Sequence, residues 1–142
     1  MRKMKKTIVS GLLTLSLLAF GATSAFAAAE VEPANNTYSG AVNLPLGDVG
    51  YGSIGGGDSQ DFFKFTSSST RVYDVLAINQ SGGASMDVWV WDTSTNVIVA
   101  SKTGILSGGS IDLYPTLQAG HTYAVLVASN SSGSSFYNIA IY

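Results

Sequence analysis

The chain has 142 residues, no cysteine and one histidine, and 46% of it is apolar. The lack of cysteine excludes a disulfide framework and thiolate-held metals. Four of its seven basic residues fall within the first 27. Beyond them only Lys64, Arg71 and Lys102 face nine acids, a net charge of −6 that excludes phosphate-driven nucleic-acid binding, offers no basic face to anionic lipid, and suits a cation.

In chain order, residues 1–27 come first. Arg2, Lys3, Lys5 and Lys6 form a basic start, Ile8 to Phe20 an apolar run, and Ala25-Phe26-Ala27 a small-residue cleavage motif. Ala27-Ala28-Ala29 fits the same motif. A membrane span needs about 20 apolar residues; this run is shorter and ends in a cleavage motif, not in a basic stop-transfer cluster. Residues 1–27 therefore read as a signal peptide and 28–142 as one secreted, extracellular domain, with no membrane attachment after cleavage.

Short period-two stretches follow, the pattern of half-buried strands. A first strand is expected near Val49 to Ile54. Phe63 and Phe65 share a face in Asp61 to Thr66. In Arg71 to Asn79, Tyr73, Val75 and Ala77 oppose Val72, Leu76 and Ile78. Met86, Val88 and Val90 share a face, as do Val97 and Val99, Ile111 and Leu113, Tyr123, Val125 and Val127, and Tyr137, Ile139 and Ile141. Clusters such as Gly55-Gly56-Gly57, Ser67-Ser68-Ser69, Ser81-Gly82-Gly83, Thr93-Ser94-Thr95, Ser107-Gly108-Gly109 and Asn130 to Ser134 supply turns between them. No apolar stripe of helical length appears beyond the leader. The pattern predicts an all-β fold, a two-sheet antiparallel β-sandwich of jelly-roll type with about eight or nine strands.

Three groups of residues invite a chemical reading. Glu30 and Glu32, two apart in an extended segment, can point to one side. Asn35 and Asn36 add amide oxygens, and Asp58 and Asp61 flank a turn into a strand. Such hard oxygens suit calcium; the plain alternative is a set of solvated loop acids. Trp89 and Trp91 stand opposite Met86, Val88 and Val90, so with the valines inward the indoles face out. There they form either a platform for a macromolecular ligand or a cover for their own sheet. His121 is the only histidine, and no nucleophile elbow accompanies it as a Ser-His-Asp triad would require. It lacks the His and Cys partners of a zinc site. No residue is assigned a catalytic role.

Taken in order, Glu30-Val31-Glu32-Pro33-Ala34-Asn35-Asn36-Thr37, Gly52-Ser53-Ile54 running into Asp58-Ser59-Gln60-Asp61-Phe62-Phe63-Lys64-Phe65, Val88-Trp89-Val90-Trp91-Asp92, Leu117 to Val125 and Tyr137 to Ile141 resemble the bacterial pre-peptidase C-terminal domain. That family is a β-sandwich usually appended to secreted proteases, with relatives among the collagen-binding modules of clostridial collagenases. The resemblance implies calcium held by Glu30, Glu32, Asp58 and Asp61. Ala34 intervenes where the family more often runs Glu-Pro-Asn-Asn/Asp, so either Asn35 or Asn36 takes the next position. It also implies a non-catalytic module that adheres to an extracellular protein or polysaccharide. An accessory or inhibitory partner of an exported protease is the alternative, and a small secreted hydrolase a third reading.

Overall fold

A computed structural model of the protein describes residues 27–142. The basic and apolar parts of the leader lie outside the described residues. The strands are β1 (Ala27–Ala29), β2 (Val42–Asn43), β3 (Val49–Gly55), β4 (Gln60–Thr66), β5 (Arg71–Val72), β6 (Val75–Gly82), β7 (Met86–Asp92), β8 (Val97–Ile105), β9 (Ser110–Leu113), β10 (Thr116–Leu117), β11 (Thr122–Ala128) and β12 (Ser134–Ile141). Two single 3-10 turns, Ala34–Asn36 and Tyr38–Gly40, precede β2. Among the described residues no helix is long and apolar enough to cross a membrane.

One sheet runs β1-β3-β12-β6-β9, the other β2-β4-β11-β7-β8, and β5 pairs with β10 as a separate ribbon. The fold is thus the expected β-sandwich. Two edge pairings depart from the antiparallel expectation, since β1 runs parallel to β3 and β2 parallel to β4. The stretch Arg71 to Asn79, expected as one strand, divides: Arg71 and Val72 pair with β10, whereas from Val75 onward the chain pairs with β12 and β9.

Alternation fills the space between the sheets. Phe63, Tyr73, Val75, Ala77, Met86, Val88, Val90, Val125, Val127, Tyr137, Ile139 and Ile141 have no exposed surface. Burying an apolar side chain of this size contributes about 1.5–3 kcal/mol, so each inward row fixes its strand's register. A slip by one residue would turn that row to solvent. The same register sets the outer face of the second sheet. Ala124 lies between Lys64 and Trp91, Leu126 between Phe62 and Trp89, and Ala128 between Gln60 and Asp87.

Candidate functional site

At one end of the sandwich, where the two sheets meet, Glu30, Glu32, Asp58 and Asp61 bring carboxylate oxygens within 4.8 Å of one another. Each arrives by a different local device. Glu30 follows β1 and prolongs its ladder, its N–H donating to the Tyr51 carbonyl at 3.1 Å. Its Oε1 accepts from the Ser53 backbone N–H at 2.7 Å and from Ser53 Oγ at 3.2 Å. Gly52 makes the space, because a Cβ there would collide with the Glu30 carboxylate and the Tyr137 hydroxyl. Asp58 closes the turn from β3 to β4, which passes through Gly55, Gly56 and Gly57, all at positive φ. Asp61 is the first inward residue of β4 and is wholly buried.

Asp61 is tied down on both oxygens. Asn35 Nδ2 donates to Oδ1 at 2.7 Å, and the Tyr137 hydroxyl donates to Oδ2 at 2.7 Å. Tyr137 also reaches Glu30 Oε2 at 3.3 Å. A buried phenol needs a partner, and here it serves two carboxylates from the centre of β12. The asparagines divide the work. Asn35 is wholly buried at the cluster. Asn36, in the orientation its hydrogen bonds assign, donates Nδ2 to Glu32 Oε2 and to the Gln60 carbonyl, both at 3.1 Å. Its own carbonyl accepts from Gln60 Nε2 at 2.8 Å.

With only protons to balance it, this arrangement holds carboxyl groups neutral. Burial pushes Asp61 up to about 9, the Tyr137 hydrogen bond opposing and the charges of Glu30 and Asp58 adding to the rise. Burial, then the Glu32 and Glu30 carboxylates beside it, push Asp58 up to about 7. Burial, then Asp61 and Glu30, hold the proton on Tyr137. Of the four buried side-chain oxygens without a hydrogen-bond partner among the described residues, two, Asn35 Oδ1 and Asp58 Oδ2, belong here; the others are Asp74 Oδ1 and Asn79 Oδ1, elsewhere in the fold. Such orphans are rare in folded proteins. An all-oxygen set of carboxylates and an amide, two of its oxygens buried and unpartnered, has the donor chemistry of a hard divalent cation.

On the outer face of the second sheet lies a groove of about 450 Å³, lined by Phe62, Trp89, Trp91, Asn96, Ile98 and Leu126. Both indoles turn outward, as the alternation of β7 requires, and both line this groove. Leu126 of β11 lies between them and Phe62 of β4. Tyr38 packs edge-on against two of the lining side chains, Trp91 at 5.3 Å and Phe62 at 6.5 Å between ring centroids. Trp91 Nε1 donates to Asn96 Oδ1 at 3.2 Å, which places the one non-glycine residue at positive φ among the described residues beside the indole. Sequence reasoning missed Tyr38, which sits in no strand. It also read Tyr137 as core alone; its place on an inward row hid the hydroxyl's role.

His121 is tied to the turn after β7. Its Nδ1 lies 2.9 Å from Oδ2 of the buried Asp92, whose Oδ1 accepts from the Ser94 and Thr95 backbone N–H groups.

No family model matches the sequence, and no curated protein matches it. Among solved structures the chain is similar to the pre-peptidase C-terminal domain of a collagenase from Bacillus anthracis. That match has a TM-score of 0.60 and 22% identity, over 70% of this chain and 92% of that one. It is more loosely similar to the Yersinia pseudotuberculosis-derived mitogen, with a TM-score of 0.44 and 15% identity over 64% and 80% of the two chains. PliG of Aeromonas hydrophila, a periplasmic inhibitor of g-type lysozyme, matches at 0.44 and 13% over 70% and 93%. These last two are too distant to argue from. The first shows the fold: the chain is a β-sandwich similar to that of the pre-peptidase C-terminal domain.

Proposed function

We propose that the protein is a secreted, non-catalytic binding module that takes up calcium at Glu30, Glu32, Asp58 and Asp61 and adheres to an extracellular protein or polysaccharide. The observation that carries the calcium reading is the meeting of four carboxylates, together with two buried oxygens, Asn35 Oδ1 and Asp58 Oδ2, that lack a partner. When bound, the cation supplies the positive charge that this end of the sandwich otherwise lacks. Asn35 adds an amide oxygen, and Asn36 steadies Glu32. The aromatic groove, without a charged residue in its lining, suits the uncharged parts of a macromolecular ligand.

Secretion rests on the leader. Cleavage after Ala27 keeps Ala28, which packs against the core, and leaves Glu30 its place beside β3. Protein recovered from the medium is therefore expected to begin at Ala28. Recovery of a chain that retains Met1 would contradict this.

Calcium is tested by calorimetric titration and by melting. Sites in extracellular modules have Kd on the order of 10⁻⁴ to 10⁻³ M, so millimolar calcium contributes roughly 0.4–1.4 kcal/mol. The melting temperature should rise by a few degrees and fall again with chelator. Glu32→Gln and Asp58→Asn should abolish the rise and the binding heat, while Asp112→Asn, on β9, should keep both. Identical curves in calcium and chelator, with no binding heat, would leave the acids as proton-holding structure alone.

A further inference from the structure

The segment that delivers two acids of the cluster also delivers Tyr38, whose ring packs on Trp91 and Phe62 of the aromatic groove. Glu30 and Glu32 sit at one end of residues 30–40 and Tyr38 at the other. Between them stand two successive 3-10 turns, Ala34–Asn36 and Tyr38–Gly40. The turns pack as one unit: a Cβ on Gly40 would run into the Ala34 carbonyl, so the second turn rests directly on the backbone of the first. The first turn is tied to the cluster by Asn35 on Asp61 and by Asn36 on Glu32 and Gln60. The second is tied to the groove by the Tyr38 ring on Trp91 and Phe62. The β4 strand makes the same link, since Asp61 points into the cluster and Phe62, the next residue, points into the groove.

From this we infer that Tyr38 is a positioning residue for the cation cluster, and that cation occupancy and the packing of the aromatic groove form one equilibrium. The inference rests on the cation reading above. A cation that draws Glu30 and Glu32 onto Asp58 and Asp61 fixes the first turn. The second turn, stacked on it, then holds Tyr38 against Trp91. Linkage is reciprocal, so the Tyr38 contact in turn pre-organises the ligands. Edge-to-face aromatic pairs of this kind are worth about 0.5–1.5 kcal/mol beyond their buried area. Losing the Tyr38 pairs should therefore weaken cation binding roughly 3- to 10-fold.

Trp89 and Trp91 are the only tryptophans, and both line the groove, so intrinsic fluorescence reads its packing directly. Calcium chloride titrated into the wild-type protein should change the tryptophan emission with the midpoint of the calorimetric binding curve. Tyr38→Ala should bind calcium about 3- to 10-fold more weakly and lose the emission change. Tyr38→Phe should restore both, because the hydroxyl makes one 3.3 Å hydrogen bond, to Thr93 Oγ1, and the ring makes the aromatic contacts. Should Tyr38→Ala not fold, the wild-type titration and Tyr38→Leu decide. Calcium binding by calorimetry with unchanged emission, or a Tyr38→Ala or Tyr38→Leu protein that binds calcium as wild type does, overturns the coupling and leaves the cation reading intact. Absence of calcium binding in the wild type overturns both.

Discussion

Tyr137 shows how much one hydroxyl group can decide. Its ring belongs to the core and packs edge-on against Phe63 at 6.2 Å. Its oxygen donates to Asp61 Oδ2 at 2.7 Å, and with Asn35 on Oδ1 it satisfies this buried carboxyl group. Tyr137→Phe keeps the ring and removes the donor. An unsatisfied buried acceptor costs about 1–3 kcal/mol. The variant is therefore expected to melt several degrees below wild type in chelator. Calcium should recover part of that loss, because a cation gives Asp61 a second partner. Melting scans with and without calcium measure both effects, and equal losses in the two conditions would separate Tyr137 from the cation cluster.

At the level of strands and turns, the link from β7 to β8 has its own electrostatic lock. Burial works against the Asp92 carboxylate, but the His121 ring and the Thr95 and Ser94 donors outweigh it and hold the group below the ordinary value of 3.8. An acid whose folded pKa is depressed contributes stability above its unfolded pKa and loses it as the pH falls through the folded value. The margin of wild type over Asp92→Asn should thus be present at about pH 5 and close as the pH drops below about 4. Thermal melts across that range check it; a margin that does not change down to pH 3 would contradict it. Elements of this length were legible in advance. The rows Met86-Val88-Val90 and Tyr123-Val125-Val127 alternate long enough to declare strand, face and register. Ala27–Ala29, Val42–Asn43, Arg71–Val72 and Thr116–Leu117 are too short to show any period, and only their partners make them strands. The acids of the cluster were readable because i, i+2 spacing and a turn place them together. Tyr38 was not, since its position depends on two turns stacking on each other, which no local pattern encodes.

Across the whole molecule, the cluster sits on the seam between the sheets. Glu30, Ser53 and Tyr137 belong to the sheet that contains β3 and β12, Asp61 belongs to β4 of the other sheet, and Asp58 lies in the turn that joins them. A cation there would clamp the two layers to each other and not stiffen one loop. The core is equally shared, with Phe63, Val88 and Val125 from one sheet packed on Val75, Tyr137 and Ile139 from the other, so neither sheet has an interior of its own. Domains built in this way unfold in a single step. Residues 28–142 are therefore expected to give one calorimetric transition whose measured enthalpy equals its van't Hoff enthalpy. Calcium, binding only where both sheets are in place, should move that transition as a whole to higher temperature without splitting it. A second, calcium-dependent transition below the main one would instead mean that residues 30–40 and the β3–β4 turn open independently of the sandwich.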